Sequence, residues 1–178
     1  IDNYDFDLIV TAAYGQIVGM KLLNAPKYRS INVHASLLPK YRGGAPIHYS
    51  VMNGDSETGV TIMYMEKTMD SGDILNQRAI PIEDDDTTGS MFEKLSIVGR
   101  DLLMETIPEL IKGNITPIKQ DESLVTFAYN ISPKEETLDL EQDANTLYNK
   151  IRGLLPVPAA NIICASASGK VCLVTALI

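Results

Sequence analysis

No apolar run in this 178-residue sequence approaches the roughly 20 residues needed to cross a bilayer, so a membrane-spanning helix is not expected. The start of the chain also lacks the basic-then-apolar layout of a signal peptide, which makes the cytoplasm the expected compartment. Cysteine is scarce. Cys164 and Cys172 stand eight positions apart in an apolar, strand-like stretch. That spacing suits neither a zinc knuckle nor a disulfide framework, and both are expected as reduced core residues. No cluster supplies metal-ligand spacing, so no metal is expected. Basic charge is short as well: 15 Lys and Arg against 23 Asp and Glu leave a net charge of −8. That balance argues against a chain gripping a nucleic-acid backbone over a broad surface.

What is present is an ordinary globular composition, 45% hydrophobic and 21% charged, at a length that allows one domain plus part of another. The chain opens on Ile1 and closes on the apolar run Val171 to Ile178, an edge that would be a liability in a complete protein. A fragment of a longer polypeptide is the expectation.

The residue pattern predicts an α/β fold. Phe6 to Ala13 is a continuous apolar run, as for a strand buried on both faces of a parallel sheet. A short helix around Gln16 to Leu23 and a strand over Ser30 to His34 would complete a βαβ unit. The loop Ser36 to Gly44 leads to a helix that Pro46 can begin and Asn53-Gly54 ends. Val60 to Met65 and Asp73 to Ile82 read as a hairpin joined by Glu66 to Gly72. The acidic run Asp84 to Asp86, with Thr87, is placed to cap a long helix from Ser90 to Lys112. Met91, Leu95, Val98, Leu102, Met104, Ile107, Leu110 and Ile111 would form its apolar face, Pro108 would kink it, and Gly113 would end it. Residues 1–113 are thus expected as one unit and 114–133 as an extended linker. Residues 134–178 would start a second unit with a helix around Ala144 to Arg152, a Pro156-Val157-Pro158 turn and two β-rich runs.

The most informative stretch is Asn32-Val33-His34. Alternate strand residues share a face, so an amide and an imidazole would point together into the cleft at the strand's carboxyl end. An isolated Asn-x-His more often serves only backbone hydrogen bonding. Here it is followed by Ser36-Leu37-Leu38-Pro39-Lys40-Tyr41-Arg42-Gly43-Gly44, whose exposed-looking leucines beside polar groups suit a flat, partly apolar ligand. Asp73 is explained by turn chemistry. Asp70 gains another use if the fold brings it to His34, since a carboxylate orients an imidazole and stabilises its cation. Arg42 reads equally as a loop anchor or as a contact to a phosphate or carboxylate of the substrate.

Taken together, Asn32-x-His34, the Ser36-Leu-Leu-Pro39 loop with Tyr41-Arg42-Gly43, and Asp70-Ser-Gly-Asp73 resemble the 10-formyltetrahydrofolate transferases. The resemblance covers nearly the whole chain and implies a Rossmann-like formyltransferase fold in which this chain holds the C-terminal part of the catalytic domain. The start of a mostly β, barrel-like second domain would follow. It implies Asn32, His34 and Asp70 as catalytic residues and Ser36, Leu37, Leu38 and Pro39 as the folate contact, with Glu66 to Asp70 on the pterin side. Gly54 to Met63, Gln120 to Ala128 and Ile151-Arg152-Gly153 are similar to members that formylate methionine esterified to initiator tRNA. Leu155 and Val157 depart from the Asn and Trp of their usual Asn-Pro-Trp-Pro run. The partners implied are folate and initiator methionyl-tRNA, with a full-length monomer. Lys40, Arg42, Lys150 and Arg152 would supply a local basic patch. The same family also holds enzymes acting on sugar nucleotides, a ribonucleotide or water, and an inactive folate-binding fragment is the reading outside enzymes.

Overall fold

The computed structural model describes residues 6–165 and 171–176, with side chains described as far as residue 163. Four strands form one mixed sheet in the order β1 (Ile9–Ala12), β2 (Ser30–His34), β3 (Glu57–Tyr64), β4 (Ile74–Pro81). β1 and β2 run parallel, while β3 is antiparallel to both β2 and β4. The expected hairpin is β3–β4, joined by the loop that carries Asp70.

One face of the sheet holds the main core. Ile31 from β2 and Val60 and Ile62 from β3 meet Met91, Leu95, Leu102 and Leu110 of helix α3 (Thr88–Lys112), with Ile47 and Val51 of helix α2 (Pro46–Met52) alongside. α3 forms as its sequence dictates. Thr87 and Ser90 make a reciprocal capping box, and Gly113 closes the helix at φ +75°. Its buried positions step by four and three residues, and Met104 and Ile111, expected in the apolar face, lie off that stripe and are exposed.

Two sequence expectations change. The helix expected from Gln16 is only the turn α1 (Met20–Leu23), because Gln16 to Gly19 supplies two β-branched residues and a glycine, all poor helix formers. β1 is not buried on both faces: its burial alternates and Val10 is 41% exposed, since among the described residues β1 is an edge strand paired only with β2.

After α3 the chain returns to the sheet. Ile118 pairs with Ile74 through two backbone bonds, and Arg42 bridges Phe127. A 3₁₀ turn (Glu122–Leu124) and a helical turn, α4 (Pro133–Glu136), precede α5 (Ala144–Gly153), which is capped by Asp143. α5 packs on α2, and Thr88 at the start of α3 donates to the Gly153 carbonyl at 2.7 Å. An antiparallel pair, β5 (Ala160–Ala165) and β6 (Val171–Ala176), follows with Cys164 opposite Cys172. Whether those thiols sit in a core concerns side chains outside the described residues.

Candidate active site

The second face of the sheet is polar where the first is apolar. Register places Thr11 of β1 beside Asn32, Asn32 opposite Met63, His34 opposite Thr61, and Thr61 opposite Gln77. Cross-strand partners share a face, so these side chains stand together on the side away from α3. The predicted pairing of Asn32 with His34 on one face holds, at the carboxyl end of β2.

Asn32 accepts a 2.8 Å bond from the Thr11 hydroxyl through its amide oxygen. The amide NH₂ has no hydrogen-bond partner among the described residues. His34 is 5% exposed. Its Nε2 lies 2.9 Å from the Tyr41 carbonyl, and its Nδ1 lies 3.6 Å from Asp70 Oδ2. A carbonyl can only accept, so Nε2 carries a proton. The other nitrogen faces the Asp70 carboxylate. At 3.6 Å the Nδ1 contact is longer than a hydrogen bond, so that edge of the ring remains able to engage a substrate atom.

Asp70 reaches His34 because its loop is held in an uncommon shape. Its φ is +53°, and two residues on, Gly72 passes so close to β3 that a Cβ there would stand 1.9 Å from the Tyr64 carbonyl oxygen. Only glycine permits that approach. The carboxylate itself accepts from the Gly43 amide at 2.9 Å. The two loops that the sequence left unconnected are therefore joined at the site. Tyr41 also has positive φ, +61°, and its phenol donates to Asp55 while accepting from Asn53. Burial, aided by Asp55 and opposed by Asn53, pushes that phenol up to about 12, so it stays a neutral anchor.

The Ser36 to Pro39 loop differs from its sequence reading. Leu38 is 3% exposed and packs with Met63 and Ile74, and Ser36 is fully buried with its hydroxyl on the Lys40 carbonyl at 2.6 Å. Leu37 and Pro39 are half-buried. The expected pair of exposed leucines is thus corrected at Leu38, whose side chain packs inside the loop, while Leu37 stays half-buried. Thr61 and Gln77, neither singled out by the sequence, secure it. Thr61 donates to the Ser36 carbonyl and accepts from the Leu38 amide, and Gln77 donates to Thr61 and to the Leu38 carbonyl. The signal for them was register on the polar face, which exists only once the strands are paired.

Arg42 is 3% exposed and its guanidinium is taken up by Gln120 and Glu122. Of the two readings open for it, loop anchor is the one the structure gives. The expected basic patch dissolves with it. Arg152 is buried on the Glu83 and Asp86 carbonyls and Lys150 donates to the Thr137 carbonyl, which leaves Lys40 exposed.

The sheet's polar face thus presents an amide and an imidazole, with a carboxylate brought beside the imidazole by the β3–β4 loop, and comparison with known proteins places this α/β arrangement in a family. The Formyl transferase family profile matches residues 1–107. The chain belongs to the formyl transferase family. It is 62% identical over 155 residues to the methionyl-tRNA formyltransferase of Lactiplantibacillus plantarum, covering 86% of this chain and 49% of that protein. It is 57% identical over 171 residues to that of Limosilactobacillus fermentum, covering 96% and 54%. The chain thus spans about half the length of the curated relatives it matches. Among solved structures, a sugar N-formyltransferase from Shewanella superposes with a TM-score of 0.72 at 26% identity, over 97% of this chain and 71% of the other. HypX from Aquifex aeolicus, solved with tetrahydrofolic acid, shares the fold at a TM-score of 0.77 and 19% identity, over 93% of this chain and 28% of its own.

Proposed function

We propose that the full-length protein transfers the formyl group of 10-formyltetrahydrofolate to the α-amino group of methionyl-tRNA. The observation that carries the chemistry is the meeting of Asn32, His34 and Asp70 at the end of β2, with His34 Nδ1 3.6 Å from Asp70. The acceptor rests on the 57–62% identity to methionyl-tRNA formyltransferases. In the reaction, the amine attacks the formyl carbon, and a C–N bond forms as the carbonyl electrons move to oxygen. Collapse then breaks the bond to N10, and the amine's proton ends on that nitrogen. The unpartnered NH₂ of Asn32 and the Nδ1 proton of His34 are the donors suited to the oxyanion. Asp70 balances the imidazolium charge. Ser36 to Pro39 would meet the folate through backbone groups and the Leu37 and Pro39 side chains, because Ser36 and Leu38 face inward. No metal enters any of these steps.

In the same reading, residues 1–113 belong to the catalytic domain, 114–133 link it, and 134–178 begin a mostly β, barrel-like second domain. The whole is a cytoplasmic monomer acting on folate and initiator tRNA. A sugar-nucleotide acceptor is the second reading, favoured by the likeness to the Shewanella enzyme. Formylation assays on the full-length protein with methionyl-tRNA and with amino sugar nucleotides separate the two. Transfer to the sugar and none to the tRNA would overturn the first.

A further inference from the structure

Gln120 lies 50 residues beyond Asp70 in a segment without periodicity, yet it is 4% exposed and all of its hydrogen-bonding capacity is spent. Its Nε2 donates to the carbonyls of Asp70 and Gly72, each at 2.8 Å. Its Oε1 accepts from Arg42 Nε at 3.0 Å and Nη2 at 2.8 Å. A planar amide is suited to this place because it offers two donors on one side and an acceptor on the other. The main-chain supports sit on both sides of it. Ile118 is paired with Ile74 at the start of β4, and Arg42 is held by Thr126 and Ala128.

Asp70 needs such support. A non-glycine residue at φ +53° sits in a sparsely populated conformation that persists only where its surroundings impose it. Gly43 grips the carboxylate, and Gln120 grips the carbonyl of the same residue. Arg42, adjacent to Gly43, ties the two grips together. From this we infer that Gln120 is a positioning residue for the reaction, and that the segment 118–128 is a strap fixing the distance between the His34 and Asp70 loops. The inference rests on the proposed role of His34 and Asp70.

The test uses the full-length protein and two substitutions. Gln120→Glu keeps an acceptor for Arg42 but removes both donors to the Asp70 loop, and Gln120→Met keeps the volume without charge. Both are expected to lower kcat about ten- to a hundredfold, as a misplaced catalytic group does. The KM values for formyl donor and acceptor and the dissociation constant for tetrahydrofolate should stay within about threefold, the split expected when only the transition state loses a contact. Glu122→Gln serves as the control. It touches the same guanidinium from the solvent side, 67% exposed, and should keep kcat within about twofold. Parental kcat in either folded Gln120 variant overturns the inference. So does a variant that loses cooperative melting, or one whose kcat and KM change together, because either outcome assigns Gln120 a purely structural part. Full activity in His34→Ala and Asp70→Ala would instead remove the site itself, whatever Gln120 does.

Discussion

Thr61 and Ile62 are neighbours on β3, both at 0% exposure, and they point to opposite faces of one sheet. Ile62 belongs to the apolar cluster with side chains from β2, α2 and α3. Thr61 is surrounded by hydrogen-bond partners, the Ser36 carbonyl, the Leu38 amide and Gln77. The first face is held by burial that depends on volume and is indifferent to direction. The second depends on direction, since each donor there has a fixed acceptor and an unmade bond leaves a buried polar group stranded. Stability should therefore concentrate on the α3 side and turnover on the other.

The sharpest way to break that division is Asp70→Ala. It removes the carboxylate beside His34 while the backbone of the loop keeps its bonds from Gln120. Turnover in the full-length enzyme should fall by about 10²–10⁴-fold, the range for losing one group of a proton-transfer and charge-stabilising set. Thermal unfolding should move by no more than the few degrees expected from freeing the Gly43 amide and placing alanine at positive φ. A melting temperature that drops in step with kcat would mean the polar face also carries the fold.

Leu102→Ala asks the reverse question. Leu102 is 1% exposed in the centre of the α3 core, and its truncation is expected to cost about 2–5 kcal/mol of stability. Denaturant titration measures this, and kcat per folded molecule should hold.

The same division explains what the sequence made legible. Apolar periodicity located α3, the hairpin and β2, and it located Asn32 and His34 on one face because a strand's period is two. It could not locate Thr61, Gln77 or Gln120, whose importance lies in bonds to residues 16 to 78 positions away. A glutamine in an aperiodic stretch carries no local mark of such a partner. The loop leucines failed for the opposite reason. Leu38 had no period to reveal its burial, because a loop side chain packs wherever its turn directs it. Arg42 resembled a ligand contact for as long as Gln120 and Glu122 stayed out of view.

Away from both faces, Asp86 offers a pH-dependent case. Burial alone would raise its carboxyl, but Lys94, the Ser90 hydroxyl and the Glu83 amide together outweigh burial and hold it below the usual range. A depressed folded value means that its contribution is present above the unfolded pKa of roughly 3.9 and fades as pH falls through the folded one. Asp86→Asn should cost about 1–3 kcal/mol at neutral pH. The gap to the parent should narrow as pH falls below the unfolded value, as read from denaturant titrations at neutral and at acid pH. An equal gap at both would assign the cost to packing.

Glu105→Gln is the smallest effect and sets the floor for the others. Its pair with Arg78 is short, 2.6 Å, which by distance alone would rank it with Lys94 and Asp86 at 2.7 Å. Surroundings separate them. Glu105 and Arg78 are 57% and 39% exposed, so water screens the attraction and two long side chains lose freedom to make it, whereas the Asp86 side chain is 4% exposed and bonded from three sides. An exposed pair of this kind contributes about 0–1 kcal/mol and less in salt. Glu105→Gln should therefore leave melting within a degree or two and kcat unchanged. A loss approaching that of Asp86→Asn would show that bond length, rather than burial and directed partners, ranks the polar contacts of this chain.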